Sequence, residues 1–111
     1  SIEHSGLTEA ISYIDEYFTD PLNIDYLAGI ANYDRFGFIR RFKRLKGITP
    51  GQYIILKRVQ HARKLLRNGN SISDAVYLAG FYDQSHLSRN FKKMTGLTPK
   101  AYLTACNSVQ D

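Results

Sequence analysis

Apolar residues recur along this chain at helical spacing, and no stretch alternates with the two-residue period of a strand for long enough to predict a sheet. Leu7, Ile11, Ile14 and Phe18 fall at i, i+4, i+7 and i+11, the stripe of an amphipathic helix, with Asp15 and Glu16 off it and Pro21 beyond its end. Asn23 is placed to cap a short helix of about 24–31 that carries Ile24, Leu27, Ala28, Ile30 and Ala31. Asp34 caps the next, whose apolar stripe is Phe38, Phe42 and Leu45, and Gly47 ends it. Thr49-Pro50-x-Gln52 is a capping-box arrangement with proline at the first helical position, and it opens the longest helix, which runs to about Arg67. At about 1.5 Å per residue, positions 50–67 make a strut of roughly 27 Å. Asn68-Gly69-Asn70 breaks it. Ser71 or Ser73 starts a short helix to Ala79, and Asp83 opens one with the stripe Leu87, Phe91 and Met94. Gly96 stops that helix, and Thr98-Pro99 begins a last one to about Cys106. The pattern predicts an all-α chain of about seven helices.

These helices repeat. Arg40-x-Phe42-Lys43, Gly47, Thr49-Pro50 and Tyr53 return at an offset of 49 as Arg89-x-Phe91-Lys92, Gly96, Thr98-Pro99 and Tyr102. Upstream the offset is 48, with Leu27-Ala28-x-x-Ala31-Asn32 against Ala75-Val76-x-x-Ala79-Gly80. The second copy therefore holds one extra residue between its halves, and such an insertion belongs in a turn. Each copy reads as short helix, tight turn, second helix, the layout of a helix-turn-helix. Asn32 and Gly80, the residue types that tolerate a left-handed backbone, put the turn at the same place in both. The expected organisation is an N-terminal helix and first helix-turn-helix over 1–49, a linker helix over 50–68, and a second helix-turn-helix with C-terminal helix over 69–111.

Charge is divided unevenly along the chain. Residues 1–34 hold seven acids and no Lys or Arg, whereas 35–111 hold all fifteen Lys and Arg against three acids. A chain polarised in this way points to a polyanion for its basic part, the alternative being a solvated face with no partner. A helix-turn-helix lays its second helix in the major groove. With Phe38, Phe42 and Leu45 buried, the first copy turns Arg35, Phe36, Ile39, Arg40 and Lys43 outward. With Leu87, Phe91 and Met94 buried, the second presents Gln84, Ser85, Ser88, Arg89 and Lys92, with His86 near the edge. Arg bridges guanine O6 and N7, Gln bridges adenine N6 and N7, Ser and His bond either, and Phe or Ile packs on a thymine methyl. Lys43, Arg44, Lys46, Lys92 and Lys93 lie one or two turns further on, where phosphates are met and position is set without sequence preference. Other readings stay open. Arg40 and Arg89 recur at one spot, which also fits a shared structural ion pair; Phe36 fits a core aromatic, and His86 an ordinary surface residue. Lys57, Arg58, Arg63, Lys64 and Arg67 on the strut read mainly as a solvated face.

The second copy, Ile72-x-Asp74-x-Val76-x-x-Ala79-Gly80-Phe81-x-Asp83-Gln84-Ser85-His86-Leu87-Ser88-Arg89-x-Phe91-Lys92-Lys93-x-x-Gly96-Leu97-Thr98-Pro99-x-x-Tyr102, resembles the DNA-binding domain of the AraC/XylS family of bacterial transcription regulators. The resemblance covers roughly residues 7–106. It implies two helix-turn-helix subdomains joined by a long central helix, reading two adjacent major-groove segments of double-stranded DNA to control transcription. The family's base-reading positions fall on Phe36, Ile39 and Arg40, and on Gln84, Ser85, His86, Ser88 and Arg89. Members often carry an N-terminal effector-sensing, dimerising or receiver domain, and a chain beginning at Ser1 is expected to be a processed form or a fragment. RNA polymerase is a further expected partner, with the acidic residues 1–34 as a candidate docking surface toward it or toward a missing domain. Two departures stand out: Gly37 inside the first recognition helix, at a cost of roughly 1 kcal/mol relative to Ala, and apolar Ile39 at a position that is often polar.

The alternative class is a basic helical module that binds protein or RNA. Aromatics that RNA readers expose for stacking sit mostly on buried stripes here, which disfavours RNA. An enzyme is not expected, because the chain shows no nucleophile–base pair, carboxylate dyad or phosphate-cradling glycine loop. No cofactor is expected; His4, His61 and His86 lack ligand spacing. A lone Cys106, no signal-peptide pattern and no long apolar run predict a cytoplasmic location with no membrane contact.

Overall fold

In the computed structural model, which describes residues 2–109, the chain forms α1 (Ile2–Tyr17), α2 (Ile24–Ile30), α3 (Arg35–Lys46), α4 (Pro50–Arg67), α5 (Ile72–Ala79), α6 (Gln84–Thr95) and α7 (Pro99–Val109). The side chains of residues 1–4 and 109–111, among them Glu3, His4 and Asp111, lie outside that description. No strand occurs among the described residues, and none of their helices is long and apolar enough to cross a membrane.

The ends form where the side chains dictate. Asn23 Oδ1 accepts the amides of Asp25 and Tyr26 at 2.8 and 3.2 Å. Asp34 and Asp83 each cap the amide three residues on, at 2.8 and 2.7 Å, and Ser71, not Ser73, caps α5 by accepting from Asp74 at 3.0 Å. At α4 the box is reciprocal: Thr49 N–H donates to Gln52 Oε1 at 2.9 Å, and Gln52 N–H to Thr49 Oγ1 at 3.1 Å. Each recognition helix stops on a left-handed glycine, Gly47 (φ 84°) and Gly96 (φ 85°). The turn inside each unit is also left-handed, at Asn32 (φ 64°) and Gly80 (φ 87°).

The chain divides into two units, Ser1–Ile55 and Leu56–Asp111, and the boundary falls within α4. In the first unit α1 packs on α2 and α3. Leu7, Ala10, Ile14, Leu27, Ala28, Ala31, Phe38, Phe42 and Ile54 form its buried core. In the second unit α6 packs against α5 and α7, and Val59, Ala62, Leu66, Ala75, Ala79, Phe81, Leu87 and Phe91 are buried. The aromatic anchor is duplicated. Phe42 meets Tyr53 edge-on with centroids 5.5 Å apart at 66°, and Phe91 meets Tyr102 with the same values.

Two stripe assignments need correction. Leu45 and Met94, expected inside, are 43% and 38% exposed. They are equivalent positions in the last turn before the stopping glycine, where a helix has run past the core. The strut needs a correction of the opposite kind: Lys57 and Arg58, read as solvated, are half-buried, and desolvation lowers the Arg58 pKa.

Candidate nucleic-acid interface

The outward face of α3 starts at Phe36, which is 75% exposed, excluding the core alternative. Arg40, one turn on, is exposed, and Ile39 is half-buried on the shoulder. Arg35 turns back across the helix-turn-helix, its Nη1 3.2 Å from Asp25 Oδ1 of α2, with both side chains more than half exposed. Such a surface pair contributes at most about 1 kcal/mol, so its guanidinium is held only weakly away from another acceptor.

The outward face of α6 is built to the same plan. Gln84, Ser85 and Arg89 are exposed, and Ser88, at the position equivalent to Ile39, is half-buried. His86, expected near the edge of this face, is half-buried. Its Nδ1 accepts the Tyr82 amide at 3.3 Å, and its ring stands edge-on to buried Phe81 with centroids 5.3 Å apart. An imidazole that accepts at Nδ1 carries its proton on Nε2, so only that edge remains to donate outward. Among the described residues Arg40 and Arg89 form no ion pair, which removes the shared structural pair as their purpose.

Lys43, Arg44 and Lys46 occupy the last turn of α3, Lys92 and Lys93 that of α6, and all five are exposed. Cations there also complement the negative end of the helix dipole. Lys46 Nζ lies 5.4 Å from the centre of the Tyr53 ring, within cation–π range.

One pair of structural residues went unassigned from sequence. Arg41 Nη1 donates to Gly37 O at 3.3 Å while its guanidinium lies 4.4 Å above the Tyr33 ring, so it braces the start of α3. Asn90, its counterpart in α6, donates to His86 O at 2.9 Å. The repeat offset relates the two, but the shared role needs the Gly37 and His86 carbonyls in place.

A helix-turn-helix domain model matches residues 27–105. The chain is similar to the DNA-binding domain of the transcriptional factor AdpA, solved with a target DNA, with 30% identity and a TM-score of 0.86 over 93% of this chain and 94% of that one. It is also similar to an AraC-type transcriptional regulator from Chromobacterium violaceum, at 28% identity and a TM-score of 0.81, covering 93% of each chain. This chain belongs to the AraC-type helix-turn-helix family. Curated members include the uncharacterized regulator YbfI of Bacillus subtilis, 35% identical over 75 residues, or 68% of this chain and 27% of YbfI. The transcriptional activator RhaS of Escherichia coli is 32% identical over 85 residues, 76% of this chain and 31% of RhaS. The chain thus spans under a third of the length of these curated AraC-type relatives. Both relatives are helix-turn-helix transcription regulators. Among the described residues no cluster of His, Cys, Asp or Glu is arranged to hold a metal.

Proposed function

We propose that this chain is a sequence-specific reader of double-stranded DNA that regulates bacterial transcription, with α3 and α6 entering major-groove segments about one helical turn, roughly 34 Å, apart. The observation that carries this reading is the pair Arg40 and Arg89, at equivalent turns of two recognition helices, exposed and without an ion-pair partner among the described residues. Arg35, Phe36, Ile39 and Arg40 read bases in one segment; Gln84, Ser85, His86 Nε2, Ser88 and Arg89 read them in the other. Lys43, Arg44, Lys46, Lys92 and Lys93 meet phosphates. Phe36 and Ile39 make the first unit a reader of thymine methyls as much as of hydrogen-bonding edges.

A single chain supplies both readers, so the site lacks two-fold symmetry. The working location is the bacterial cytoplasm, with RNA polymerase as a further partner and an effector, dimerisation or receiver domain N-terminal to this one in the whole protein. Selection from a random duplex pool tests the reading. An asymmetric site spanning two adjacent half-sites is expected, together with poor competition by single strands and structured RNA. A pool that fails to converge, or RNA that competes as well as duplex, overturns it.

A further inference from the structure

The second unit exceeds the first by one residue, and that residue is identifiable. The amides of Tyr33 and Phe81, related by an offset of 48, donate to Ala28 O and Val76 O at 3.0 Å each. The caps Asp34 and Asp83, related by 49, follow. Tyr82 is therefore the insertion. The residue is 90% exposed, yet its backbone is pinned. The amide donates to His86 Nδ1 at 3.3 Å, buried Phe81 precedes it, and Asp83, next in the chain, caps α6. A phenol carried on a fixed backbone has two side-chain torsions left to order on contact, a small entropic cost for a large side chain.

The charge around it is also uneven between the copies. Arg35 stands first in α3, where α6 has Gln84, and residues 68–88 contain no Lys or Arg but include Asp74 and Asp83. The leading end of the second reader thus brings no cation to a duplex that presents one negative charge per roughly 1.7 Å of axis. Neutral donors serve at such places, and tyrosine hydroxyls are among the groups that bond DNA phosphate oxygens.

From these observations we infer that Tyr82 is a phosphate-contacting residue: its hydroxyl donates to a backbone phosphate bordering the groove that α6 enters, and so sets the register of the second reader. The inference rests on the duplex-DNA reading above. Because the phenol is neutral, its contact releases no counterion, which separates it from every Lys and Arg contact.

The test titrates the chain and its Tyr82→Phe variant with the selected duplex and with a random duplex at several salt concentrations. It is then repeated with single neutral methylphosphonates placed at each phosphate flanking the second half-site. Tyr82→Phe keeps the ring and removes one oxygen. It is expected to weaken binding to both duplexes by about three- to tenfold, the size of one hydrogen bond, with the slope of log affinity against log salt unchanged. One methylphosphonate should weaken the parent chain and add nothing to Tyr82→Phe. Wild-type affinity for the variant overturns the inference, as does a loss confined to the selected duplex, which marks a base contact. If the parent chain itself binds no duplex, both this inference and the DNA reading beneath it fall.

Discussion

Asp34 Oδ1 accepts the Gly37 amide at 2.8 Å, and a β-carbon on Gly37 would stand 2.5 Å from that same oxygen. The glycine inside the first recognition helix is thus a condition of the cap. In the second unit His86 carries a β-carbon at the equivalent position, and Asp83 caps it from a more extended backbone, φ −157° against −74° at Asp34. Adding a methyl at residue 37 gains about 1 kcal/mol of helix propensity and displaces a cap of similar size. Asp34→Ala is therefore expected to cost about 1 kcal/mol in the natural chain and less than half of that in a Gly37→Ala background, measured by denaturant unfolding. Equal costs in the two backgrounds would show that the carboxylate and the glycine are independent.

Arg40→Ala and Arg89→Ala should each relax base preference in a different half of the selected site, by about 1–3 kcal/mol for the preferred base. Affinity profiles over single-base variants of the site are the measurement. A uniform loss on selected and random duplex would reassign either arginine to the phosphate backbone.

Lys43→Ala and Lys92→Ala are expected to act differently, lowering affinity for all duplexes and reducing the salt slope by about 0.9 each. Both side chains are exposed in the last turns of their helices. Unchanged slopes would leave these lysines only their part in balancing the helix dipole.

Gly80 holds φ 87° at the turn of the second unit, a conformation that costs an alanine about 1–2 kcal/mol. Gly80→Ala should lower stability by that amount. At the equivalent turn Asn32 already occupies φ 64°, and Asn32→Gly should be close to neutral. Thermal melts of the two variants give the comparison, and a neutral Gly80→Ala would contradict it.

Tyr53 titrates late. Burial, then its hydrogen bond to Asp15 Oδ1 at 2.6 Å and the charge of that carboxylate, push its pKa from 10.0 up to about 12. The folded state holds the phenolic proton more tightly than the unfolded chain, so this contribution is fully present below pH 10 and is lost as pH rises from 10 towards 12. The stability difference between the parent and Tyr53→Phe should narrow over that window. A constant difference would mean that the phenol does not titrate with folding.

Most of the frame could be read from residues because local chemistry decides it. Asn23, Asp34, Thr49 with Gln52, and Asp83 bond amides two or three positions away, so the partners are already adjacent in the chain. Leu45 and Met94 were misplaced because periodicity extends a stripe without registering where the core ends. Arg41 escaped assignment because its partners, the Tyr33 ring and the Gly37 carbonyl, converge only in three dimensions. That His86 offers only Nε2 outward follows from its Nδ1 holding the Tyr82 amide, a contact that helical periodicity does not register. On the candidate surface, outwardness is legible at Phe36, Arg40, Gln84 and Arg89, while the half-burial of Ile39 and Ser88 depends on tertiary packing that helical periodicity does not register.

Scaffold and vocabulary are kept apart in this chain. The anchors Phe42 with Tyr53 and Phe91 with Tyr102, the aspartate caps and the left-handed stops use none of the exposed positions at 36, 40, 85 and 89. On the proposed reading, exchanging a few of those surface letters rewrites half of an operator while every buried anchor, cap and stop of that unit stays as it is.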